Sequence, residues 1–300
     1  MNRREFLGML AGALAAPVAR GAGTPDFTRL RRYRADAQVL ILSIPILHRS
    51  GVGGGSVLWR ESHEAADTVR RLEFTGYSIP ERAAGLNRLG FIRETSCRGE
   101  RAILESDYFG VMTASPEESA EEAHKALHST AAEATYTAIE GRIAGTDIET
   151  ASAHFMGPAR LSPKRRDELL TRAQQALSHA PRKPPEFHAQ GAVPPPFLHA
   201  LAQALCTPGE SRTRYVYSGR LYRLWLRQSA DAKAAAYFRE RGVIAGGAQV
   251  LRVTGKVRRE AGGKDTDFRL WIEEGAAQPV PLRIDFQPKS YLRLVMEAQA

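Results

Sequence analysis

The chain is predicted to be mainly β with a helical insertion, an α+β protein built on a large curved or barrel-like antiparallel sheet. Three observations carry that prediction. At the C-terminus Leu282, Ile284 and Phe286 alternate with Arg283, Asp285 and Gln287; beyond Pro288-Lys289-Ser290, Leu292, Leu294, Met296 and Ala298 alternate with Arg293, Val295 and Glu297. Period-two alternation on both sides of a Pro-containing turn is the pattern of two half-buried antiparallel strands. The same alternation runs through Tyr215 and Tyr217, then Tyr222, Leu224 and Leu226, then Leu251, Val253 and Val257, then Phe268, Leu270 and Ile272, with turns at Gly219 and Gly262-Gly263. With the final hairpin this makes about six up-and-down strands, enough for a sheet to curl or close. Finally, 300 residues at 43% hydrophobic are enough to bury a large core.

The elements follow in order. An arginine-rich entry, Arg29 to Arg34, leads into Tyr33 to Leu47, read as one long strand. It is apolar on both faces in its middle and is therefore expected at the centre of a sheet covered on both sides. Pro45 withholds a ladder donor and marks a bulge or strand end. The glycines between Ser50 and Ser56 read as a turn or bulge before a returning strand, Val57 to Glu64. They are not a phosphate-binding loop, which needs G-x-x-x-x-G-K-[ST] opening a helix, whereas β-type residues follow here. Thr68 to Ser78, Leu86 to Thr95 and Arg101 to Met112 read as further strands. Ser115-Pro116-Glu117-Glu118 starts a helix that runs to about Ala134, its glutamates complementing the helix dipole. Tyr136 to Met156 reads as a hairpin around Gly141 to Gly145. A helix from Ser162-Pro163 through Leu177, a stiff connector from Pro181 to Pro196, and a short helix from Phe197 to Leu205 close the middle region. The expected organisation is a single β-rich domain over residues 27–300 with a helical and Pro-rich insertion at about 116–205.

The N-terminus carries an address. Asn2-Arg3-Arg4-Glu5-Phe6-Leu7-Gly8 resembles the twin-arginine export motif, and a short apolar stretch and small residues follow. Residues 1–22 are therefore expected to be a signal peptide, with Arg3 and Arg4 as the pair read by the twin-arginine export machinery, and with cleavage between Ala15 and Ala22. The expected location is the periplasm. No apolar run approaches the ~20 residues that a spanning helix needs. The formal charge is +9, and loss of Arg3, Arg4 and Arg20 with Glu5 would leave +7. In an exported chain that surplus meets anionic lipid headgroups and polymers rather than nucleic acid, and the bland alternative is a basic surface that only aids solubility. Cys97 and Cys206 are the two cysteines; in an oxidising compartment they are a candidate disulfide, the alternative being two separate thiols.

Catalytic motifs are missing from the sequence. There is no H-E-x-x-H, G-x-S-x-G or C-x-x-C, and the eight histidines, among them His48, His63, His124, His154 and His199, have no metal-ligand spacing. No cofactor is expected, and a non-enzymatic role is favoured. The residues singled out for binding are Arg223, Trp225, Arg269 and Trp271. Two strands place Trp beside Arg on their polar face, an arrangement suited to cation–π stacking or to gripping an anionic headgroup. The bland alternative is a solvated face on which arginine stems shield the tryptophans.

Tyr33-Arg-Ala-Asp-Ala37, Ile44-Pro-Ile46 and Gly51-Val-Gly53 resemble the opening of a bacterial envelope family of unknown function. Phe197-Leu-His-Ala-Leu201, Gly209 and Tyr215-Val-Tyr-Ser-Gly219 resemble its middle; Phe268-Arg-Leu-Trp-Ile272 and Pro279-Val-Pro-Leu-Arg-Ile284 resemble its ending. The resemblance covers Tyr33 to Ala300 in patches, poorest over residues 68–190. It implies an exported β-rich single domain with no established activity, and it transfers no functional residues. The leading expectation is a binding or carrier role in envelope maintenance for a lipid-like or anionic ligand. The rivals are a periplasmic hydrolase with a spatial triad and a protein-interaction module.

Overall fold

Alternating strands account for most of the described chain, and they hydrogen-bond into one antiparallel sheet. This computed structural model describes residues 27–41, 44–64, 67–83, 88–99, 103–114, 133–158, 163–187, 191–289 and 292–300. The signal segment with Arg3 and Arg4, and all but the end of the helix expected from Ser115 to about Ala134, lie outside the described residues; Glu133 and Ala134 belong to a strand. In chain order the elements are β1 (Phe27–Ile41), β2 (Ile44–Glu64), β3 (Asp67–Ser78), β4 (Leu89–Arg98), β5 (Ile103–Thr113), β6 (Glu133–Ala144) and β7 (Asp147–Pro158). Then come α1 (Pro163–Ser178), α2 (Phe197–Leu205), β8 (Glu210–Tyr217), β9 (Arg220–Ala230), α3 (Ala232–Glu240), β10 (Val250–Arg259), β11 (Thr266–Glu273), β12 (Arg283–Lys289) and β13 (Leu292–Ala298).

The ladder order is β7-β6-β5-β4-β3-β2-β1-β13-β12-β11-β10-β9-β8. Ladder neighbours are consecutive in the chain except at the middle, where the first strand pairs with the last, Tyr33 opposite Ala298 and Val39 opposite Leu292. The six C-terminal strands expected from alternation are β8 to β13. The insertion expected to be helical also contains β6 and β7, which end the other half of the same sheet.

The sheet curls around α2. This apolar nine-residue helix touches β8 and β9 from one half and β3 and β4 from the other. Ala200, Ala204 and Leu205 pack with Leu224, Leu226, Val253 and Leu270, while Ala202 packs with Trp59, Leu72 and Val280. Tyr108 of β5 stacks on Tyr217 of β8 at 6.3 Å between centroids, so the two halves meet across the interior. On the outer face α1 lays Leu169, Ala173 and Leu177 over Leu89, Phe91, Val111 and Tyr136.

The ladder itself does not close. The gap between edge strands β7 and β8 is crossed by the Pro-rich connector. Lys183 N donates to Thr150 O (2.8 Å) on one edge, and Val216 N donates to Pro195 O (3.0 Å) on the other; Glu186 N reaches Gly219 O at 2.8 Å. Proline-rich chain holds few conformations to lose, which suits a strap laid along two edges.

One expectation for the N-terminal strands is corrected and another is narrowed. Tyr33 to Leu47 is not one central strand: the chain reverses, and Ile41 faces Ile44 across a hairpin end. A run apolar on both faces carries no mark of the place where the chain turns back. Of the turn or bulge expected at the glycine cluster, the structure has the bulge, with Gly51, Gly53, Gly54 and Gly55 inside β2. The β1–β2 register jumps between Ala35/Gly53 and Ala37/Arg49, and Gly51 takes up the bulge at φ +63°. At Gly53 a Cβ would meet Tyr77 O at 2.1 Å, so close packing of backbone against backbone demands glycine there.

Candidate functional site

The face of β8–β11 turned away from α2 gathers the predicted binding residues row by row. Register places Arg214, Arg223 and Arg258 side by side, then Arg212, Trp225, Lys256 and Asp267, then Arg227, Thr254 and Arg269, then Arg252 and Trp271. Arg212, Arg214, Arg223, Arg227, Arg252, Lys256, Arg258 and Arg269 are all exposed. Glu210 and Asp267 share the face, and Glu260 and Asp265 approach it from the β10–β11 connection. Eight cations thus meet four carboxylates. Arg223 is oriented by Glu260 (Nη2–Oε1 2.8 Å), and Lys256 by Asp265 (2.9 Å).

The four singled-out residues share this outer face, but they do not converge on one concave wall. Trp225 is half-buried among the cations. Trp271 is 8% exposed beneath α3, packed with Ala235, Phe238 and Ile244, and its Nε1–H donates to Asp231 Oδ2 at 3.0 Å. The guanidinium of Arg283 closes over its ring at 4.9 Å. Trp271 is therefore a buried anchor for α3, and what remains accessible is Trp225 amid arginines.

The interior holds a pair that motif searching missed. Glu94 and His199 are each 1% exposed. The Glu94 carboxylate accepts from Leu198 N (2.8 Å) and His199 N (3.0 Å), and it meets His199 Nδ1 at 3.0 Å. It thus satisfies the free N–H groups at the start of α2, where Pro196 at the N-cap supplies no side-chain bond. Among the described residues His199 Nε2 has no hydrogen-bond partner, and no serine hydroxyl of theirs bonds to it. Tyrosines surround the pair. Burial pushes the Tyr108 phenol up to about 12, and burial, reinforced by neighbouring tyrosines, raises Tyr215 and Tyr217 further still. The sequence did carry one signal: Glu94 lies in register with inward positions of an alternating strand, where a charge demands a partner.

The candidate disulfide is corrected. Cys97 and Cys206 are not bonded to each other. Cys97 is buried on β4 with Sγ 3.6 Å from Asp67 Oδ2, whereas Cys206 is exposed just past α2, its thiol pushed up by desolvation. Among the described residues no three His, Cys, Asp or Glu side chains cluster to hold a metal, and no helix is long and apolar enough to cross a membrane.

The chain matches no family model and no curated protein. It is similar to the crystal structure of a beta-barrel-like protein of domain of unknown function DUF1849 from Brucella abortus. That likeness is at 10% identity and a TM-score of 0.38, over 90% of this chain and 95% of that one.

Proposed function

We propose that this is an exported periplasmic protein, non-enzymatic, that binds an anionic component of the cell envelope through the outer face of β8–β11. One observation carries the reading: eight exposed cations on one sheet face, with the half-buried Trp225 in their midst. A surplus of four positive charges in a compact field attracts polyanionic surfaces over roughly a Debye length, and an indole among guanidinium groups adds an apolar contact for whatever lies against it. The placement of α2 between the two halves and the stacking of Tyr108 on Tyr217 across the interior support binding at the surface rather than carriage inside. Export rests on the Arg3-Arg4 pattern.

The test is tryptophan emission during titration with vesicles of phosphatidylglycerol or of phosphatidylcholine. Trp59 and Trp271 are buried, so Trp225 should report. An emission shift is expected with the anionic vesicles only; that shift should weaken as salt is raised and be lost in Trp225→Phe. Arg223→Glu with Arg269→Glu should lower affinity at least tenfold. An unchanged titration in that double variant would refute the assignment of this face.

A further inference from the structure

We propose that Thr254 is the floor of a phosphomonoester site within the basic face, walled by Arg227, Arg252, Lys256 and Arg269. On one face of a sheet a residue has its nearest neighbours across each flanking strand and two places before and after it on its own strand. For Thr254 on β10 these are Arg227 of β9 and Arg269 of β11, each directly opposite it, with Arg252 and Lys256 along β10. All four neighbours are cations, and all five residues are exposed. Two strand spacings set the Cα atoms of Arg227 and Arg269 about 10 Å apart, and four residues set those of Arg252 and Lys256 about 13 Å apart. Long side chains rooted at those four points can bring their head groups over the short hydroxyl between them.

The carboxylates of this face are engaged away from Thr254. Glu260 takes Arg214 and Arg223, and Asp265 takes Lys256 and Arg258. Arg227 meets Glu210 only at 3.8 Å, with 78% of the arginine side chain exposed. Among the described residues Arg252 and Arg269 make no ion pair within 4.0 Å. Asp231, beyond Arg252, already accepts from Ala234 N and the Trp271 indole. Asp285 lies directly opposite Arg269 but is held by Arg283 and Arg293. Asp267, beside Lys256, stands only on a diagonal from Thr254. Cations gathered in this way repel one another, a cost that a bound anion offsets.

The donor set selects the anion. A phosphomonoester carries a charge of about −1.5 to −2 at pH 7 and three acceptor oxygens. The two unpaired guanidinium forks can each grip oxygens of one phosphoryl group bidentately, and the Thr254 hydroxyl adds a donor beneath them. A phosphodiester has less charge and fewer free oxygens, and leaves donors unfilled. Trp225 stands on another diagonal from Thr254, opposite Lys256, where its ring can lie against the carbon skeleton that bears the phosphate. The inference rests on the basic-face reading above and narrows it from a diffuse polyanion to one functional group, which a lipid headgroup and a soluble phosphate ester share.

The experiment follows Trp225 emission of the full chain. Phosphatidylcholine vesicles carry either phosphatidic acid, a monoester, or phosphatidylglycerol, a diester, at equal surface charge; glycerol 3-phosphate is titrated separately. Half-saturation should need at least tenfold less phosphatidic acid than phosphatidylglycerol. Thr254→Val, isosteric and suited to a strand, should reduce that preference severalfold, and Arg252→Gln with Arg269→Gln should abolish it. Arg214→Gln with Arg258→Gln removes the same charge two rows away, and should weaken both lipids alike while the preference stays. Saturation by glycerol 3-phosphate at the concentrations that suffice for phosphatidic acid assigns the site to a soluble ester, and a response confined to vesicles assigns it to a lipid headgroup; either keeps the monoester. Three results would overturn the inference: equal titrations with the two lipids, a preference that survives Arg252→Gln with Arg269→Gln, or one lost equally in Arg214→Gln with Arg258→Gln. Equal titrations remove the site and leave the anionic-envelope reading standing, whereas no emission shift with either lipid removes both.

Discussion

Glu94 accepts three hydrogen bonds within 3.0 Å, two of them from the backbone of a helix that begins more than a hundred residues later. Removing one member of a buried, hydrogen-bonded charged set leaves the others desolvated and unpaired, which costs about 3–5 kcal/mol. Glu94→Ala should therefore lose that much in urea unfolding, while Glu94→Gln, which keeps an acceptor oxygen for the α2 amides, should lose less. A loss under ~1 kcal/mol in Glu94→Ala would mean that the α2 start finds its acceptors elsewhere. The pair was only half legible. Strand periodicity turns Ile92, Glu94 and Ser96 to one side, and a glutamate in that series signals a partner. Nothing in the spacing says that the partner is His199, because a contact across 105 residues exists only once the sheet has curled. Gly53 is the converse case: its type was visible, and its reason, the Tyr77 carbonyl at 2.1 Å, was not.

Among the elements, α3 shows how a short helix escapes periodicity yet decides what a surface displays. Asp231 caps it, its Oδ1 accepting from Ala234 N at 3.0 Å while its Oδ2 holds the Trp271 indole. Burial alone would raise the Asp231 carboxyl, but the Ala234 and Trp271 donors outweigh it and hold the group below its ordinary 3.8. A depressed folded-state value contributes stability that is complete above the unfolded value and fades as pH falls through the folded one. Asp231→Ala should thus cost about 1 kcal/mol at neutral pH, the usual worth of an N-cap. The gap to the parent protein should then narrow below pH 3.8 in a series of thermal melts. A gap independent of pH would separate the cap from the charge. Alternation correctly put Trp271 on the face opposite Leu270 and Ile272. It could not say that nine residues of helix would cover that tryptophan and leave Trp225 open, since a cover is a tertiary fact. Val39 to Leu47 failed in the other direction: its apolar faces were legible, whereas the reversal at its middle depended on pairing.

For the molecule as a whole, the strand content, the final hairpin, α1, α2 and the connector were readable from local pattern. The union of both ends of the chain in one sheet was not, because register between β1 and β13 leaves no local trace. That pairing can be made local by joining Ala300 to Phe27 through a short flexible linker and opening the chain at the Gly145-Thr146 turn, where the backbone is exposed. The permuted protein should unfold at a similar urea concentration but refold faster, since its costliest loop closure has become a hairpin. Stopped-flow tryptophan emission would measure this, and equal refolding rates would show that β1–β13 pairing does not limit folding.

The same adjacency has a consequence in time. By Pro158 the ribosome has delivered every neighbour that β2 to β6 require, so that half can assemble while synthesis continues. β1 is made first and waits longest, because its second neighbour is the last strand to emerge. An unfinished chain therefore carries an open edge along Tyr33 to Val39 until β13 has been made, and the sheet acquires its middle only then. Any step that accepts this protein solely with its sheet complete is thereby held until that strand is free.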